Sequence, residues 1–317
     1  MSSTSQINFS VRQNKSIERQ IVFEGLVELS AAMGIERPIY VGLGSIWFAD
    51  FQLAHRLLKA RRMVSIEQDE IIFQRAKFNR PWRTVDVRNG WSNAVLPDLL
   101  NEQMYGNAPW VVWLDIDRAI DEDHLEELQQ LAVDLPENSV LLTTFTAVDT
   151  TYGQPADRNA RLKDIFGEAI EDRPFASAKE AREQTRMMSV LSQATLDAVV
   201  SHTLKSGRKG GVVPCARLMY KDGMPMVTVG WALPTQTNLA AVRRLVARPS
   251  WSAMDDDPII TPPLTHKEIL ALQARMPSSR PLSEASVRRL GFALPDDART
   301  SYSKHYLRYP VYSQLAR

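Results

Sequence analysis

The chain has 317 residues, beyond the usual single-domain size, and its 44% hydrophobic and 24% charged content is that of a globular fold, which excludes a disordered or fibrous one. A formal charge of +1 gives no global pull toward nucleic acid or membrane. No apolar run approaches the roughly 18 residues of a membrane span, and the polar start MSSTSQINFS lacks a secretory core, so a cytoplasmic protein is expected. The single cysteine, Cys215, excludes an internal disulfide and a cysteine-built metal site. Its neighbours Val212, Val213 and Leu218 predict a buried strand thiol.

In chain order, Lys15 to Met33 carries Ile17, Val22, Leu26, Leu29 and Met33 near helical spacing, and Gly34 comes next as a stop signal. The polar start of this helix has two readings. One is a solvated first turn; the other is a lid whose Arg12, Lys15 or Arg19 reaches an anionic substrate group.

The rest of the chain is organised around the stretch Pro38 to Glu67. An apolar run, Ile39 to Val41, turns at Gly42 and Gly44 and passes into Trp47, Phe48, Phe51, Ala54, Leu57 and Leu58 at helical spacing. A second run, Met63 to Ile66, ends on Glu67, 23 positions after Gly44. A carboxylate at that strand tip is where α/β nucleotide folds hold a ribose. A dinucleotide turn needs a third glycine for close helix–strand packing, and Trp47 stands there instead. S-adenosylmethionine (SAM) has no pyrophosphate and needs only backbone room. The SAM reading therefore leads, with Gly42, Gly44 and Ser45 at the turn and Glu67 and Gln68 at the strand tip as cofactor-binding candidates.

Asp69 to Phe78 reads as a helix stopped at Asn79-Arg80-Pro81, Arg83 to Val87 as a strand, and Arg88-Asn89-Gly90 as a turn. Val87, Arg88 and Asn89 would then lie beside the adenine. After a helix over Ser92 to Leu100, the continuous apolar run Trp110 to Leu114 predicts a buried parallel strand ending in Asp115-Ile116-Asp117. Ligands bind at the carboxyl ends of such strands, so Asp115 and Asp117 are the catalytic candidates, as base, substrate orienter or metal ligand. The plainer reading is that one of them caps the helix starting near Asp121. That helix runs to Leu135, and a strand over Ser139 to Phe145 succeeds it. The polar stretch Asp149 to Lys179 reads as an active-site insertion or a surface excursion. Beyond it lies a helix over Ser189 to Leu204.

Val212 to Tyr220 and Met226 to Leu233 are strand-like runs joined by Lys221-Asp222-Gly223, and Asp-Gly between such runs signals a hairpin. The predicted class is α/β: a Rossmann-like methyltransferase sheet of five parallel strands plus a terminal antiparallel hairpin, flanked by helices. The expected division is a helical N-terminal extension over 1–37, the α/β domain over 38–233 with an insertion near 149–185, and a mainly helical region over 234–317. In that last region Thr265-x-x-Glu268 is a capping box. Asp255-Asp256-Asp257 reads as a solvated loop, and no metal site is expected. The tail from Arg299 interleaves bases with aromatics, a mixture that suits RNA stacking but is read here as a docked segment, because Leu307, Val311 and Leu315 need burial.

Several stretches together resemble a family of bacterial proteins described as O-methyltransferases. They are RQNKSIERQ, YVGLGSIWFADF with His55 in the following helix, SIEQDE, FNRPW, WLDID and LTHKE. The resemblance runs from about Arg12 to the C-terminus. It implies that the turn at Gly42 and Gly44 together with Glu67 holds SAM, and that Asp115 to Asp117 line the side of an unidentified acceptor. The acid that often precedes the glycines of a SAM turn is replaced here by Tyr40. His55 is read as a packed residue. Alternatives are a non-catalytic protein of the same fold that binds a nucleotide or a protein or RNA partner, favoured if Tyr40 and Trp47 crowd the turn, and a nicotinamide oxidoreductase, disfavoured by Trp47 and the hairpin. Self-association stays open.

Overall fold

The computed structural model describes residues 12–106 and 108–310. The elements in order are α1 (Gln13–Met33), β1 (Ile39–Gly42), α2 (Ala49–Leu57), β2 (Arg62–Glu67), α3 (Glu70–Asn79), β3 (Val85–Asn89), α4 (Ser92–Asn101), β4 (Trp110–Asp115), α5 (Glu122–Asp134) and β5 (Ser139–Thr146). Then come α6 (Arg158–Phe166), α7 (Gln184–Lys205), β6 (Val213–Asp222), β7 (Met224–Leu233), α8 (Leu239–Val246), α9 (His266–Gln273), α10 (Glu284–Arg288) and α11 (Asp296–His305).

The strands form one sheet in the order β3-β2-β1-β4-β5-β7-β6. The five from β3 to β5 are parallel, and β7 inserts antiparallel between β5 and its hairpin partner β6. This is the predicted sheet. Alternation along each strand sends side chains to both faces, and both are buried. Tyr40, Met63, Val111, Trp113 and Leu142 meet α1, α2, α8 and the C-terminal helices. Ile39, Val41, Val112, Leu114 and Leu141 meet α4, α5 and α7. No helix of the described residues is long and apolar enough to cross a membrane.

The first turn of α1 is not solvated. Asn14, Lys15, Glu18 and Arg19 are all buried, because the helix lies across the sheet. Its N-terminus has no side-chain cap of its own. The Asp222 carboxylate, from the hairpin turn, accepts the N–H groups of Asn14 (3.2 Å) and Lys15 (2.6 Å), satisfying donors that a helix start leaves open and opposing its positive end. The turn predicted for the hairpin thus also fixes α1 over the sheet.

The tail is docked, by other residues than expected. Tyr302, His305 and Tyr309 are buried, whereas Leu307 is 80% exposed; Val311 and Leu315 lie outside the described residues. The bases are engaged within the chain: Arg299 donates to the carbonyls of Leu282 and Leu294, Arg308 pairs with Glu24 of α1, and Lys304 pairs with Asp255 and Asp257. Asp256 pairs with Arg217, so the aspartate loop is tied down by cations. The Tyr309 hydroxyl donates to Gln13 Oε1 (2.8 Å), bracing the start of α1. Cys215 is buried, as predicted.

Candidate functional site

The carboxyl ends of β1 to β4 open together into a cavity of about 270 Å³, roofed by the start of α1 and closed at one side by the hairpin. This edge is where open parallel sheets bind ligands. Of the residues singled out in the sequence, Gly44, Ser45, Glu67, Gln68, Asp115 and Asp117 line this cavity. Gly42, Val87, Arg88 and Asn89 do not. Arg88 is held by Asp86 and Glu102, and Asn89, inside β3 rather than in a turn, donates to Glu70. At the end of β3 the wall is Gly90, Trp91 and Ser92 instead.

The turn after β1 is tightly built. Ser45 (φ 46°) and Phe48 (φ 51°) both adopt the left-handed conformation, which costs a non-glycine residue about 1 kcal/mol or more and is characteristic of functional turns. The Gly44 N–H donates to Ser65 Oγ (3.1 Å). A Cβ on Gly44 would lie 2.8 Å from Phe48 Cδ1, 2.8 Å from Ser65 Oγ and 2.9 Å from Phe51 Cε2. Glycine is therefore required by packing alone. Gly44→Ala is expected to destabilise the fold by about 1–3 kcal/mol through overpacking, read as a lower urea midpoint; an unchanged midpoint would show that the turn relaxes freely.

Tyr40 touches this turn without clashing: a Cβ on Gly42 would meet its Cε1 at 3.4 Å, an ordinary contact. Its ring stands edge-on to Phe51 at 5.0 Å, and its hydroxyl donates to Asp50 Oδ2 (2.6 Å). Asp50, in the first turn of α2, lines the cavity and comes so near Gly42 that a Cβ there would meet its Oδ2 at 3.2 Å. An acid absent from the sequence position before the glycines thus returns from the next helix. Burial raises the Asp50 carboxyl above its ordinary pKa, against the Tyr40 hydrogen bond and the field of Arg19. Trp47, half-exposed, lies on the cavity wall.

Glu67 sits at the tip of β2. Burial pushes its carboxyl up to about 7, opposed by a hydrogen bond from the Ser45 N–H and aided by the charges of Asp69 and Asp50. Such a group is poised to ionise when donors arrive. Without such donors its ionised form is costly to the fold. The folded-state pKa lies above the unfolded one, so stability is lost as pH rises toward and through about 7. Glu67→Gln is therefore expected to gain up to about 3 kcal/mol near pH 8 and almost nothing near pH 4.5, measured as paired unfolding midpoints. A gain equal at both pH values would contradict this origin.

On the other side, Asp115 Oδ2 lies 2.8 Å from Lys15 Nζ, which also stands 3.3 Å from Glu18 Oε2. The Lys15 Nζ makes no aligned hydrogen bond, so these are charge contacts. The ammonium lies over the Trp113 ring at 4.8 Å and the Tyr220 ring at 5.4 Å. From Glu18 a buried chain of hydrogen bonds runs beneath the floor: Thr228 Oγ1 donates to Glu18 Oε1 (2.7 Å), Thr144 meets Thr228 (2.8 Å), and Trp113 Nε1 donates to Thr144 (3.0 Å). Neither Asp115 nor Asp117 caps α5; Asp121 does, accepting the His124 N–H (2.9 Å). The stretch 149–185 adds no lining residue and packs instead on the face of α5 and α7. His55 is packed on Trp82 (4.4 Å), its Nδ1 donating to the Ala60 carbonyl (2.8 Å).

Sequence reasoning passed over Asp50, Trp91, His124, Tyr220, Met224 and Met226, all on the cavity wall. Asp50 had a local signal, an acid in the first turn of a helix that succeeds a glycine turn. His124, bridging Glu127 (3.1 Å) and Thr143 (3.0 Å), had none.

The sheet order and the edge cavity define an α/β ligand-binding enzyme fold of the methyltransferase type. The chain belongs to the family described as "Putative O-methyltransferase", whose model matches residues 7–317. No curated protein sequence matches it. Among solved structures it is similar to Trm1 from Pyrococcus horikoshii, in complex with SAM, at 13% identity over 74% of this chain and 58% of that one (TM-score 0.44). It is also similar to an O-methyltransferase from Bacillus cereus in complex with S-adenosylhomocysteine (SAH), at 17% identity over 66% and 79% (TM-score 0.37). A third is LepI, solved with SAH and a substrate analogue, at 14% identity over 62% and 43% (TM-score 0.35). The chain thus spans 43% and 58% of the lengths of LepI and Trm1.

Proposed function

We propose that the chain is a SAM-dependent methyltransferase acting on a hydroxyl of a yet unidentified acceptor. The observation that carries this reading is the cavity itself, which brings the Gly44–Ser45 turn, Glu67 and Asp115 to Asp117 together on one sheet edge. The residues present suit the cofactor: a half-buried carboxylate at the second strand tip for a ribose, a strained turn giving backbone room, and Trp91 on the wall beside β3 for a flat base. When bound, SAM supplies a methyl group on a sulfonium, transferred by in-line displacement, so that positioning is the protein's main task.

In this reading Glu67 accepts hydrogen bonds from the ribose hydroxyls, and α1 roofs the cavity and limits water. Asp115 and Asp117, two residues apart at the end of β4, orient the acceptor hydroxyl and take its proton as the oxygen–carbon bond forms. The Lys15 contact at Asp115 Oδ2 fixes that carboxylate in place. Residues 38–233 act as the transferring unit, and of the flanking regions the described residues 12–37 and 234–310 serve as the roof and its brace.

Tritium transfer from methyl-labelled SAM into a small-molecule extract tests the reaction. The expected result is incorporation that falls at least about tenfold in Asp115→Asn or Asp117→Asn, in keeping with loss of a general base. Cofactor binding with no incorporation in any fraction would instead favour a non-catalytic protein of this fold.

A further inference from the structure

The cations around the cavity are nearly all engaged. Lys15 contacts Asp115 and Glu18, Arg118 pairs with Asp121 at 3.0 Å, and Arg12 Nη1 donates to the Asp222 carbonyl at 2.9 Å. Arg19 differs. It is 7% exposed, lines the cavity, has a wholly buried Nε without a partner, and no hydrogen bond or ion pair holds its guanidinium among the described residues. A buried cation left unpaired is costly, because it loses hydration without recovering it from protein acceptors or charges.

Asp50 lines the same cavity. Its Oδ2 is taken by the Tyr40 hydroxyl and stands against Gly42, so the carboxylate is fixed at the β1 turn. Arg19 is near enough for its field to act on Asp50 and on Glu18, yet it pairs with neither. The cavity therefore offers a cation and a carboxylate that form no ion pair with each other among the described residues. That is complementary to a zwitterion, whose carboxylate and ammonium sit on one carbon.

We propose that Arg19 receives the α-carboxylate, and Asp50 the α-ammonium, of the methionyl end of SAM. The inference rests on the cofactor reading above. Ribose at Glu67 on β2 leaves the opposite end of the ligand to cross the β1 turn, toward Asp50 and the α1 roof. Arg19 then forms a fork of charge-assisted hydrogen bonds to the carboxylate, which a lysine cannot reproduce. An anionic acceptor would satisfy the same guanidinium, and the experiment separates the two sources.

The wild-type protein is titrated with SAH, with 5′-methylthioadenosine, which keeps the nucleoside and lacks the amino-acid end, and with decarboxylated SAM against SAM. Arg19→Gln is titrated with the first two. The expected result is that removing the carboxylate from the ligand weakens binding roughly tenfold to hundredfold. Arg19→Gln should lose a similar factor for SAH and leave methylthioadenosine binding unchanged, which also shows that the variant is folded. Equal affinity of the wild type for SAM and its decarboxylated form overturns the inference whatever the variant does, and unchanged SAH binding in Arg19→Gln overturns it as well. If the wild type binds none of the four ligands, the cofactor reading fails and this inference falls with it.

Discussion

Glu67→Ala is expected to weaken SAH binding by about two orders of magnitude, the loss of charge-assisted hydrogen bonds worth about 3 kcal/mol together. The carboxylate is positioned for this by the β2 tip and by the Ser45 N–H, and its raised pKa of about 7 makes the effect pH-dependent. Ribose hydroxyls donate, so they favour the ionised form. Affinity should therefore fall as pH drops below about 7, with proton release on binding in that range. Tryptophan fluorescence reads both, since Trp47 and Trp91 lie on the cavity wall. Affinity in Glu67→Ala equal to the wild type, or a flat pH profile between about 6 and 8, would remove Glu67 from the site.

Lys15→Met is expected to lower stability by about 3–5 kcal/mol, the usual result of stripping one partner from a buried ionic group. Glu18 is fully buried, with Lys15 opposing the burial that pushes its carboxyl up. Without the ammonium, Glu18 is left facing the charge of Asp115. The loss should be smaller in acid, where Glu18 takes up a proton. Adding Glu18→Gln to Lys15→Met should restore part of the stability at neutral pH, because the amide carries no charge to compensate. Urea unfolding at constant m-value measures all three. A loss below about 1 kcal/mol in the single variant would mean that the contacts at Lys15 are spectators.

The range of the interactions involved decides which features are legible in the sequence. Apolar runs such as Trp110 to Leu114, the glycine turn and the Asp-Gly hairpin are local patterns, and they suffice for the strand count, the strand directions and the antiparallel closure. The capping box at Thr265 and Glu268 is local too, and it forms as read. Residues at strand tips are placed near the cavity for the same reason: a strand's carboxyl end is marked in sequence.

The rest depends on packing between distant segments. That Lys15 lies against Asp115, 100 residues away, or that Asp222 caps α1, is set by how α1 crosses the sheet, and no periodicity reports it. The turn expected at Arg88-Asn89 is strand instead, because β2 continues to Glu67 and pairs β3 to its end. Hydrophobicity alone predicts a buried Leu307, yet the tail is held by Tyr302 and Tyr309 and by ion pairs to α1 and the aspartate loop. Arg19 is one of three bases at a helix start; only the fold shows which of them is left without a partner.

Whether this sheet edge holds SAM is read from calorimetric titration of the wild-type protein with SAM and SAH, alongside NAD. Micromolar binding of both adenosyl ligands with none of NAD is the predicted result. A folded, ligand-free sample that binds neither SAM nor SAH would contradict it.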